Sequence, residues 1–342
     1  MNSHGYNTAF VNYLNTLSAK MLASGEKFKA RAYKKAQESI VAYPTKITSV
    51  SQIASLPGIG QSILEKLNEL VASGKVNKPL TSNTEPHEKF IDIYGVGPKK
   101  AMEIVSKHNI TTIEELRLNQ AKVLNDTQMV GLKYYEDLLK RIPREEIEAY
   151  KGIFNNVFQA IYQKMYPNAQ IGSMCKFEIV GSYRRGAQES GDIDVILTGK
   201  TDEIGIMVYN LLIDVLKSKN IILNILARGD AKCLVIAKLP GNQQYARRVD
   251  FLYAPIEQYA FSILYFTGSK LFNTMMRQHA LDMGYTLNEH GISRMIDGTK
   301  DTKLIANFFP DEKSIFDFFK AEYQEPTNRN EMVKPLVNDK IN

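Results

Sequence analysis

The residues of this chain that are best suited to carry out a reaction lie between positions 181 and 194, where the sequence reads GSYRRGAQESGDID. In an extended strand, side chains two positions apart point to the same face, so Asp192 and Asp194 can both reach one point. Two-metal phosphoryl transfer requires such paired carboxylates. The glycine-serine turn before them offers neutral donors for phosphate oxygens, and a basic side chain adds charge. The candidate phosphate contacts are Ser182, Arg185 and Ser190.

A third carboxylate, Asp250, fits the same chemistry. It lies in the run RRVDFLY at 247–253, whose alternation of apolar and polar residues is typical of a half-buried strand. Three carboxylates can hold two Mg²⁺ ions, for which two carboxylates supply few ligands. We therefore expect Asp192 and Asp194 to bridge both ions, and Asp250 to hold the ion that activates an attacking hydroxyl. Alone, each aspartate would more often be an exposed or salt-bridged strand residue, and only their coincidence favours catalysis.

Positive charge is concentrated at the amino-terminal end. The 342 residues carry a formal net charge of +6; residues 1–80 contain ten Lys or Arg and four Asp or Glu, and the remainder contains 33 of each sign. This distribution predicts a nucleic-acid-binding surface in the first quarter, although a solvated basic helix would give the same count. Cys175 and Cys233 are too few for a disulfide framework or a zinc site. The polar start and the lack of a long apolar run predict an intracellular protein without a signal peptide or transmembrane segment.

The elements that must position these residues begin with helices. Helical spacing from Phe10 to Ala42 predicts one helix, which ends before a proline. Two Gly-hydrophobic-Gly turns follow at 58–60 and 95–97, about 37 residues apart, and each opens onto a further helix. Their glycines let the backbone approach a DNA phosphate, and each helix N-terminus adds N–H groups. One such turn is common, whereas two favour DNA binding. From about 176 to 255 the pattern changes to short β segments.

Together these segments resemble the DNA polymerase X family, most closely its DNA polymerase beta branch, over residues 10–331. The two glycine turns resemble helix-hairpin-helix motifs, and further matching segments are GLKYY at 131–135, KRIPREE at 140–146 and YFTGS at 265–269. The resemblance implies an α+β fold. An all-helical N-terminal lyase domain and a helical DNA-binding subdomain with both motifs would precede a nucleotidyltransferase palm sheet and a small mixed α/β C-terminal subdomain.

The implied boundaries divide the chain into four parts. Residues 1–81 would form the helical lyase domain that binds a 5′-phosphate, and residues 82–143 the helical DNA-binding subdomain. Residues 144–256 would form the catalytic palm, and residues 257–342 the subdomain that binds the nascent base pair. A polar, proline-containing linker is expected at 76–87 and a loose tail from Met332.

The resemblance also implies roles for individual residues of the polymerase site. The metal-binding carboxylates fall on Asp192, Asp194 and Asp250. The triphosphate contacts fall on Ser182, Arg185, Ser190 and Gly191, with Arg141 at the outer phosphate. The segment that packs against the incoming sugar and excludes a ribose 2′-hydroxyl falls on Tyr265, Phe266 and Gly268, although by themselves its aromatic residues would indicate core packing. Asn273 and Arg277 match minor-groove donors, and such donors can test pair shape because groove acceptors occur at equivalent places in all base pairs.

For the lyase reaction, the family's Schiff-base lysine falls on Lys66, in the helix after the first glycine turn. Lysine forms an imine only in its neutral form, which burial or neighbouring positive charge favours. The family's phosphate-pocket histidine falls on Phe28 and a second pocket lysine on Ser62, which leaves phosphate affinity at this site open. The residues expected to contact DNA or its 5′-phosphate are Lys29, Tyr33, Lys34, Lys35, Gly58, Gly60, Lys78, Gly95, Gly97, Lys232 and Arg248.

Metal ions of two kinds are implied by the resemblance. Two Mg²⁺ ions, for which Mn²⁺ can substitute, would be held at the palm. Na⁺ or K⁺ would be held by backbone carbonyls of the hairpin turns, at Leu56 and Ile59 in the first turn and at Ile93 and Val96 in the second. These carbonyl sites have no side-chain signature.

Two departures from the family pattern lie in the subdomain that closes on the base pair. Lys270 replaces an acidic residue that contacts the incoming base. Leu252 replaces an arginine that partners the residue matched by Glu289 in the open and closed states. We expect the second change to alter the balance between those states, with lower fidelity or differently gated closure.

The leading interpretation is a template-directed DNA polymerase that fills short gaps in base excision repair and has 5′-deoxyribose-phosphate lyase activity. Its partners would be gapped or nicked duplex DNA and deoxynucleoside triphosphates, and it would act as a monomer, without a membrane, in the nucleus or at a site of DNA replication or repair. Two alternatives stay open. The paired hairpin motifs and Arg277 argue against a template-independent nucleotidyltransferase, and three intact carboxylates argue against a non-catalytic gap-binding scaffold.

Overall fold

The computed structural model describes residues 5–23, 26–41, 43, 45–56, 58–74, 86–241, 244–296 and 299–329. The chain divides into two compact units, Met1–Tyr135 and Glu136–Asn342. The first unit is helical and the second combines helices with sheets, so the α+β class is confirmed. The further division of the chain at 81, 143 and 256 stays a prediction. Residues 76–85 of the expected linker and the tail from Met332 lie outside the described residues.

The N-terminal unit shows two helices where one was expected from Phe10 to Ala42. The Ser18 hydroxyl, on the first helix, donates to the Ala30 carbonyl, on the second, over 2.9 Å. The single-helix prediction is therefore wrong, because apolar spacing cannot separate one long helix from two that pack on each other. The helices of this unit are α1 (Asn7–Ala23), α2 (Lys27–Val41), α3 (Gln61–Ala72), α4 (Pro86–Ile91), α5 (Pro98–His108), α6 (Ile113–Val123) and α7 (Asp126–Lys133), with a 3-10 helix at Val50–Ile53 and a short α8 (Tyr135–Leu138) at the boundary.

Two separate apolar cores stabilise these helices. The first includes Phe10 and Leu14 of α1 and Leu67 of α3, all fully buried. The second includes Phe90 of α4 and Ile104 of α5. The helices therefore bury their apolar faces in these cores, and the middle residues of the glycine turns, Ile59 and Val96, are buried there too.

The C-terminal unit is built around a five-stranded sheet. Its helices are α9 (Arg144–Met165), α10 (Gly181–Arg184), α11 (Asp202–Ser218), α12 (Ile256–Thr267), α13 (Lys270–Asp282) and α14 (Glu312–Phe318), with a 3-10 helix at Pro326–Asn328. Its strands are β1 (Ile142–Pro143), β2 (Cys175–Ile179), β3 (Glu189–Ser190), β4 (Ile193–Gly199), β5 (Ile222–Arg228), β6 (Lys232–Ala237), β7 (Arg247–Tyr253), β8 (Tyr285–Asn288), β9 (Gly291–Ile296) and β10 (Thr299–Leu304).

The sheet order is β2-β4-β7-β6-β5, and only the central pair β4 and β7 runs parallel. One face of these central strands is apolar, whereas the other carries Asp194 and Asp250 beside apolar residues. Val195 and Phe251 point into the core that contains residues of α9 and α11. Ile196 and Leu252 point to the opposite face, where they pack with Ile263 of α12.

The remaining strands form two smaller sheets. Strands β8, β9 and β10 make an antiparallel meander whose core includes residues of α13 and α14. Strands β1 and β3 form a two-residue antiparallel ribbon. None of the helices in the described ranges combines the length and apolarity that a membrane crossing needs.

Candidate active site

The candidate metal site lies where the two parallel strands meet. Asp194 of β4 is paired in register with Asp250 of β7, so the two carboxylates leave adjacent strands toward the same face. Asp192 precedes β4 by one residue and is two positions from Asp194. The parallel register therefore pairs Asp194 with Asp250. Asp192 lies outside the strand, and the three carboxylates expected to bind the ions together do not form one metal-binding group in this structure.

Two cations of the protein surround these carboxylates. The Lys232 Nζ lies 3.8 Å from Asp250 Oδ2, and the Arg248 Nε lies 3.5 Å from Asp250 Oδ1. The same Arg248 guanidinium pairs through Nη2 with Asp192. Both basic residues lie against the carboxylates in this structure, and their expected contact with DNA stays a prediction.

The electrostatics of the pair suit a bound cation. Burial, reinforced by the negative charge of Asp250, raises the pKa of Asp194 to about 6, and burial also raises the pKa of Asp250. The Asp250 Oδ1 is buried and makes no hydrogen bond with the described residues. A divalent cation would supply both the missing partner and the opposing charge, so these residues fit such an ion. Across the described ranges, no three acidic, histidine or cysteine side chains converge as a complete metal-binding group.

The phosphate turn is packed directly on this pair. Gly181 has a φ of +64°, and a Cβ added to it would lie 2.7 Å from Asp194 Oδ2. A side chain at 181 would therefore be both strained and in collision with the carboxylate. The Val180 N–H donates to the Asp194 carbonyl over 2.9 Å, and the Ser182 hydroxyl donates to the Ser190 hydroxyl over 2.7 Å. The two candidate phosphate-binding serines are thus adjacent.

The two-residue ribbon brings Arg141 to the same turn. Pairing of Ile142 with Ser190 places Arg141 beside the end of β3. The Arg141 Nη2 donates to the Glu189 carbonyl over 3.0 Å, and a Cβ added to Gly191 would lie 3.1 Å from Arg141 Nη1. Residues almost 50 positions apart in sequence therefore lie together, and contact of Arg141 with a phosphate stays a prediction.

A buried network that the sequence reasoning missed joins the turn to the end of α12. The Arg185 Nη1 donates to the Thr267 carbonyl over 2.6 Å, and the Arg184 Nη1 donates to the Thr267 hydroxyl over 2.8 Å. The Arg184 Nη2 also pairs with Glu312 at 2.7 Å, and Glu312 in turn pairs with the fully buried Arg329. Arg184 and Arg185 are neighbours of the same type, so the sequence alone does not show which of them has a structural role. The buried ion pair with Glu312 indicates that Arg184 stabilises the fold.

The aromatic segment predicted to contact the sugar lies at the carboxyl end of α12. The rings of Tyr265 and Phe266 are 5.2 Å apart, and Gly268 follows the last residue of the helix. The Asn273 Nδ2 donates to the Tyr265 carbonyl over 2.7 Å, and the Arg277 Nε donates to the Asn273 carbonyl over 3.2 Å. A cleft at this point is lined by Phe261, Leu264, Tyr265, Asn273, Met276, Arg277, Leu287 and Asn288.

The two hairpin turns of the N-terminal unit share a glycine with positive φ and one main-chain hydrogen bond. In the first hairpin turn (56–60), Gly58 has a φ of +80°; in the second (93–97), Gly95 has a φ of +81°. The Ile59 N–H donates to the Leu56 carbonyl over 3.1 Å, and the Val96 N–H donates to the Ile93 carbonyl over 3.0 Å. Each turn ends in a glycine that is the N-cap of the following helix, namely Gly60 before α3 and Gly97 before α5.

Because each carbonyl oxygen has two lone pairs, those of Leu56 and Ile93 can still accept a cation after this hydrogen bond. Cation binding at the turns nevertheless stays a prediction.

The turns differ in what supports them. A Cβ added to Gly58 would lie 2.8 Å from the Lys35 Cγ, so an exposed lysine covers the first turn with its aliphatic stem. At the second turn the Gln128 Nε2 donates to the Gly95 carbonyl over 2.9 Å. Gln128 is buried, with 8% of its surface exposed. The sequence motif specifies the turn but not its support.

The residues expected at the lyase site have mixed environments. Lys66 is partly exposed at the margin of the face of α3 that buries Leu67. Tyr33 lies in the first core, whereas Phe28 is 86% exposed. Lys29 pairs with Glu26 at 3.0 Å on the surface. Lys34, Lys35 and Ser62 are exposed, and Lys78 lies outside the described residues.

Four protein-family models match successive parts of the chain. A helix-hairpin-helix domain matches residues 5–76, and the fingers domain of DNA polymerase lambda matches residues 88–139. The DNA polymerase beta palm matches residues 141–256, and the DNA polymerase beta thumb matches residues 262–330. The palm match includes every carboxylate and phosphate-turn residue described above.

Several curated proteins are similar along most of the chain. A DNA polymerase lambda of Rattus norvegicus is 29% identical over 336 residues, covering 95% of this chain and 56% of the relative. A DNA polymerase lambda of Arabidopsis thaliana is 30% identical over 333 residues, covering 90% of this chain and 59% of the relative. A DNA nucleotidylexotransferase of Xenopus laevis is 27% identical over 367 residues, covering 95% of this chain and 68% of the relative. This chain therefore spans less than two thirds of the polymerase lambda relatives.

Proposed function

Because this chain belongs to the DNA polymerase X family, we propose that it is a template-directed DNA polymerase that fills short gaps in base excision repair. The observation that carries the proposal is the parallel pairing of Asp194 with Asp250 beneath the Ser182–Ser190 turn. This arrangement puts a carboxylate pair next to donors for phosphate oxygens. Such a pair suits the transfer of a nucleotide to a hydroxyl, with pyrophosphate as the leaving group.

Asp192, Asp194 and Asp250 would hold two Mg²⁺ ions. The ions, when bound, lower the pKa of the primer 3′-hydroxyl and stabilise charge on the attacking and leaving oxygens. Asp250 would accept the proton of that hydroxyl; its buried Oδ1, which has no hydrogen-bond partner among the described residues, supports this role. In this structure Arg248 forms an ion pair with Asp192. We infer that this ion pair breaks when Asp192 binds a metal ion.

The nucleotide would be held by groups that converge on the turn. Ser182, Ser190 and Gly191 would donate to the triphosphate, and Arg185 and Arg141 would add charge. The Thr267 contacts of Arg184 and Arg185 join this turn to the aromatic segment at Tyr265, Phe266 and Gly268. Phosphate and sugar would therefore be positioned by one connected structure. Asn273 and Arg277, beside the same cleft, would test the minor groove of the new base pair.

The N-terminal unit would bind DNA and carry the lyase reaction. The hairpin turns would contact phosphates through main-chain N–H groups, and the carbonyls of Leu56, Ile59, Ile93 and Val96 would hold Na⁺ or K⁺. Lys66 would form the imine with an incised abasic site. Residues 1–81 would serve as the lyase domain, 82–143 as the duplex-binding part, 144–256 as the palm and 257–342 as the base-pair-binding part.

Gapped DNA would then engage two linked sites, which raises the effective concentration of the second once the first is bound. We infer that the chain acts as a monomer on gapped or nicked duplexes with deoxynucleoside triphosphates. The nucleus is the place where such a substrate would be met. Mn²⁺ should substitute for Mg²⁺, because carboxylate ligands accept both ions.

Primer extension on DNA with a one-nucleotide gap and a 5′-phosphate tests the polymerase proposal. Insertion that follows the template base and disappears in Asp250→Ala supports it. Untemplated tailing of a single strand would instead favour a template-independent transferase. Binding of the gap without turnover would favour a non-catalytic scaffold.

The lyase proposal has its own test. Borohydride reduces an imine to a stable covalent link, so the native chain should be trapped on an incised abasic site and Lys66→Ala should not. Equal trapping of both proteins would assign the chemistry to another amine.

A further inference from the structure

The proposed chemistry leaves one buried polar side chain of the N-terminal unit without a role. In the described part of that unit, the polar side chains below 9% exposure are Ser18 and Gln128. The Ser18 hydroxyl joins α1 to α2. Burying an amide costs free energy unless its donors and acceptor are satisfied, so the partners of Gln128 indicate what it does.

Both ends of the Gln128 amide are occupied. Its Oε1 accepts from the Asn125 N–H over 3.1 Å, while the Asn125 Oδ1 accepts from the Gln128 N–H over 2.9 Å, which together form a capping box at the start of α7. With Oε1 used in this way, Nε2 is the end that faces the Gly95 carbonyl, to which it donates over 2.9 Å. The two contacts together define a single orientation of the amide.

A second contact from the same face of α7 holds the neighbouring residue of the turn. A Cβ added to Gly131 would lie 2.4 Å from the Tyr94 carbonyl oxygen. Positions 128 and 131 are one helical turn apart and face the same side. Helix α7 therefore packs on the backbone of Tyr94 and Gly95 through a small residue and a donor, and the amide supplies the only directional bond of the two.

We propose that Gln128 is a positioning residue that holds the second hairpin turn in the conformation that binds a DNA phosphate. The proposal rests on the proposed DNA-binding function and adds the residue that prepares the turn for it. Gly95, with a φ of +81°, belongs to the residue type with the greatest backbone freedom. A turn held in one conformation before binding loses less entropy when the phosphate arrives.

The test compares Gln128→Met with Asn125→Ala in the full chain. Methionine keeps the apolar stem and removes the amide, whereas Asn125→Ala removes the other half of the capping box and leaves the Gln128–Gly95 bond. The dissociation constant is measured on gapped duplex DNA by fluorescence anisotropy, and kcat is measured for one-nucleotide insertion at saturating DNA. Circular dichroism reports whether each variant is folded.

We expect Gln128→Met to raise the dissociation constant by about fivefold, the usual net effect of one hydrogen bond. Its kcat at saturating DNA should stay at the wild-type value, because a positioning defect in binding is overcome by excess DNA. Asn125→Ala should bind DNA as the wild type does. An unchanged dissociation constant in Gln128→Met, or an equal loss in Asn125→Ala, would overturn the proposal.

If Gln128→Met does not fold, Gln128→Glu takes its place. One carboxylate oxygen can still accept from Asn125, and the other meets the Gly95 carbonyl oxygen, which removes the donor but keeps the cap. The loss of affinity should persist at high salt, where the added charge is screened; a loss that vanishes there would contradict the proposal. A wild-type chain that neither binds nor extends gapped DNA would overturn the proposed function itself, whereas a failure confined to the variants overturns only the role of Gln128.

Discussion

The palm carboxylates and the hairpin turns represent two different ways to build a binding surface. At the palm, two strands direct charged side chains to one point, and the backbone serves only to align them. At the hairpins, glycines expose the main chain, and the side chains nearby serve as supports. The palm is therefore sensitive to the identity of a few carboxylates, whereas the hairpins are sensitive to the addition of a single carbon atom.

The two regions also differ in how charge is handled. The palm carries its negative charge in a buried place, where Arg248 and Lys232 offset it within the protein. The N-terminal unit carries its positive charge on the surface, as the exposed Lys34 and Lys35 illustrate. A buried charge must be satisfied by the protein or its ligand, whereas an exposed charge is available to any polyanion and is screened by salt.

The largest expected effect concerns a palm side chain. Asp250→Asn keeps the shape and removes the charge, and nucleotide insertion should fall by about 10³-fold because several kcal/mol of metal-derived stabilisation is lost. Single-turnover insertion on gapped DNA measures it, with the exposed Asp230→Asn as the matched control. DNA affinity should change little in either variant. If Asp250→Asn inserted nucleotides at nearly the wild-type rate, the palm reaction would not depend on the Asp250 carboxylate, which would contradict the comparison.

The next prediction separates the two units by their chemistry. Lys66→Arg keeps the positive charge but cannot form an imine, so borohydride trapping on an incised abasic site should fall to background. One-nucleotide insertion should stay within about twofold of the wild type, because the palm carboxylates are untouched and the charge is kept. The same preparation is assayed for both activities. A parallel loss of insertion would mean that the two functions do not divide between the units.

A third prediction concerns the addition of one carbon atom at the hairpins. Gly95→Ala and Gly58→Ala should each lower the free energy of unfolding by about 1–2 kcal/mol, because both glycines have positive φ. The loss should be larger at Gly95, where the new Cβ would lie 3.3 Å from the buried Gln128, than at Gly58, where the exposed Lys35 can move aside.

Chemical denaturation measures these losses, and Gly74→Ala is the control. Gly74 has a φ of +66° with no heavy atom within 4 Å of an added Cβ, so it isolates the backbone penalty. A greater loss at Gly58 than at Gly95 would reverse the ranking of the two supports.

The smallest expected effect is on fidelity. Leu252 is buried with Ile263 and Phe266 on the sheet face that also presents the carboxylates. Leu252→Arg should weaken this apolar contact between the sheet and α12 and shift the balance of open and closed states, changing the misinsertion rate by about fivefold for a coupling of about 1 kcal/mol. Single-nucleotide misinsertion assays measure it, with Leu252→Met as the size-matched control. If the error rate of Leu252→Arg were unchanged, the hypothesis that Leu252 alters the balance between the open and closed states would lose its support.

Much of the candidate site could be predicted from local patterns. The spacing of Asp192 and Asp194, the Gly-Ser turn and the repeated glycine turns are short-range features, and the structure has each as a strand start, a turn or a helix start. The helix boundary between α1 and α2 was missed, because two packed helices and one long helix share the same apolar spacing. The positions of Tyr33 in a core and of Phe28 on the surface were equally invisible, since both lie in one amphipathic helix.

The sequence by itself determined which residues can do chemistry and which backbone positions must be glycine, because those properties depend on side-chain type and on local φ. Only the tertiary structure decided that Asp194 faces Asp250, that Arg248 pairs with Asp192, that Arg184 supports the turn and that Gln128 holds Gly95. These are contacts between segments that are distant in sequence. Their partners are set by sheet register and helix packing, which no local pattern encodes.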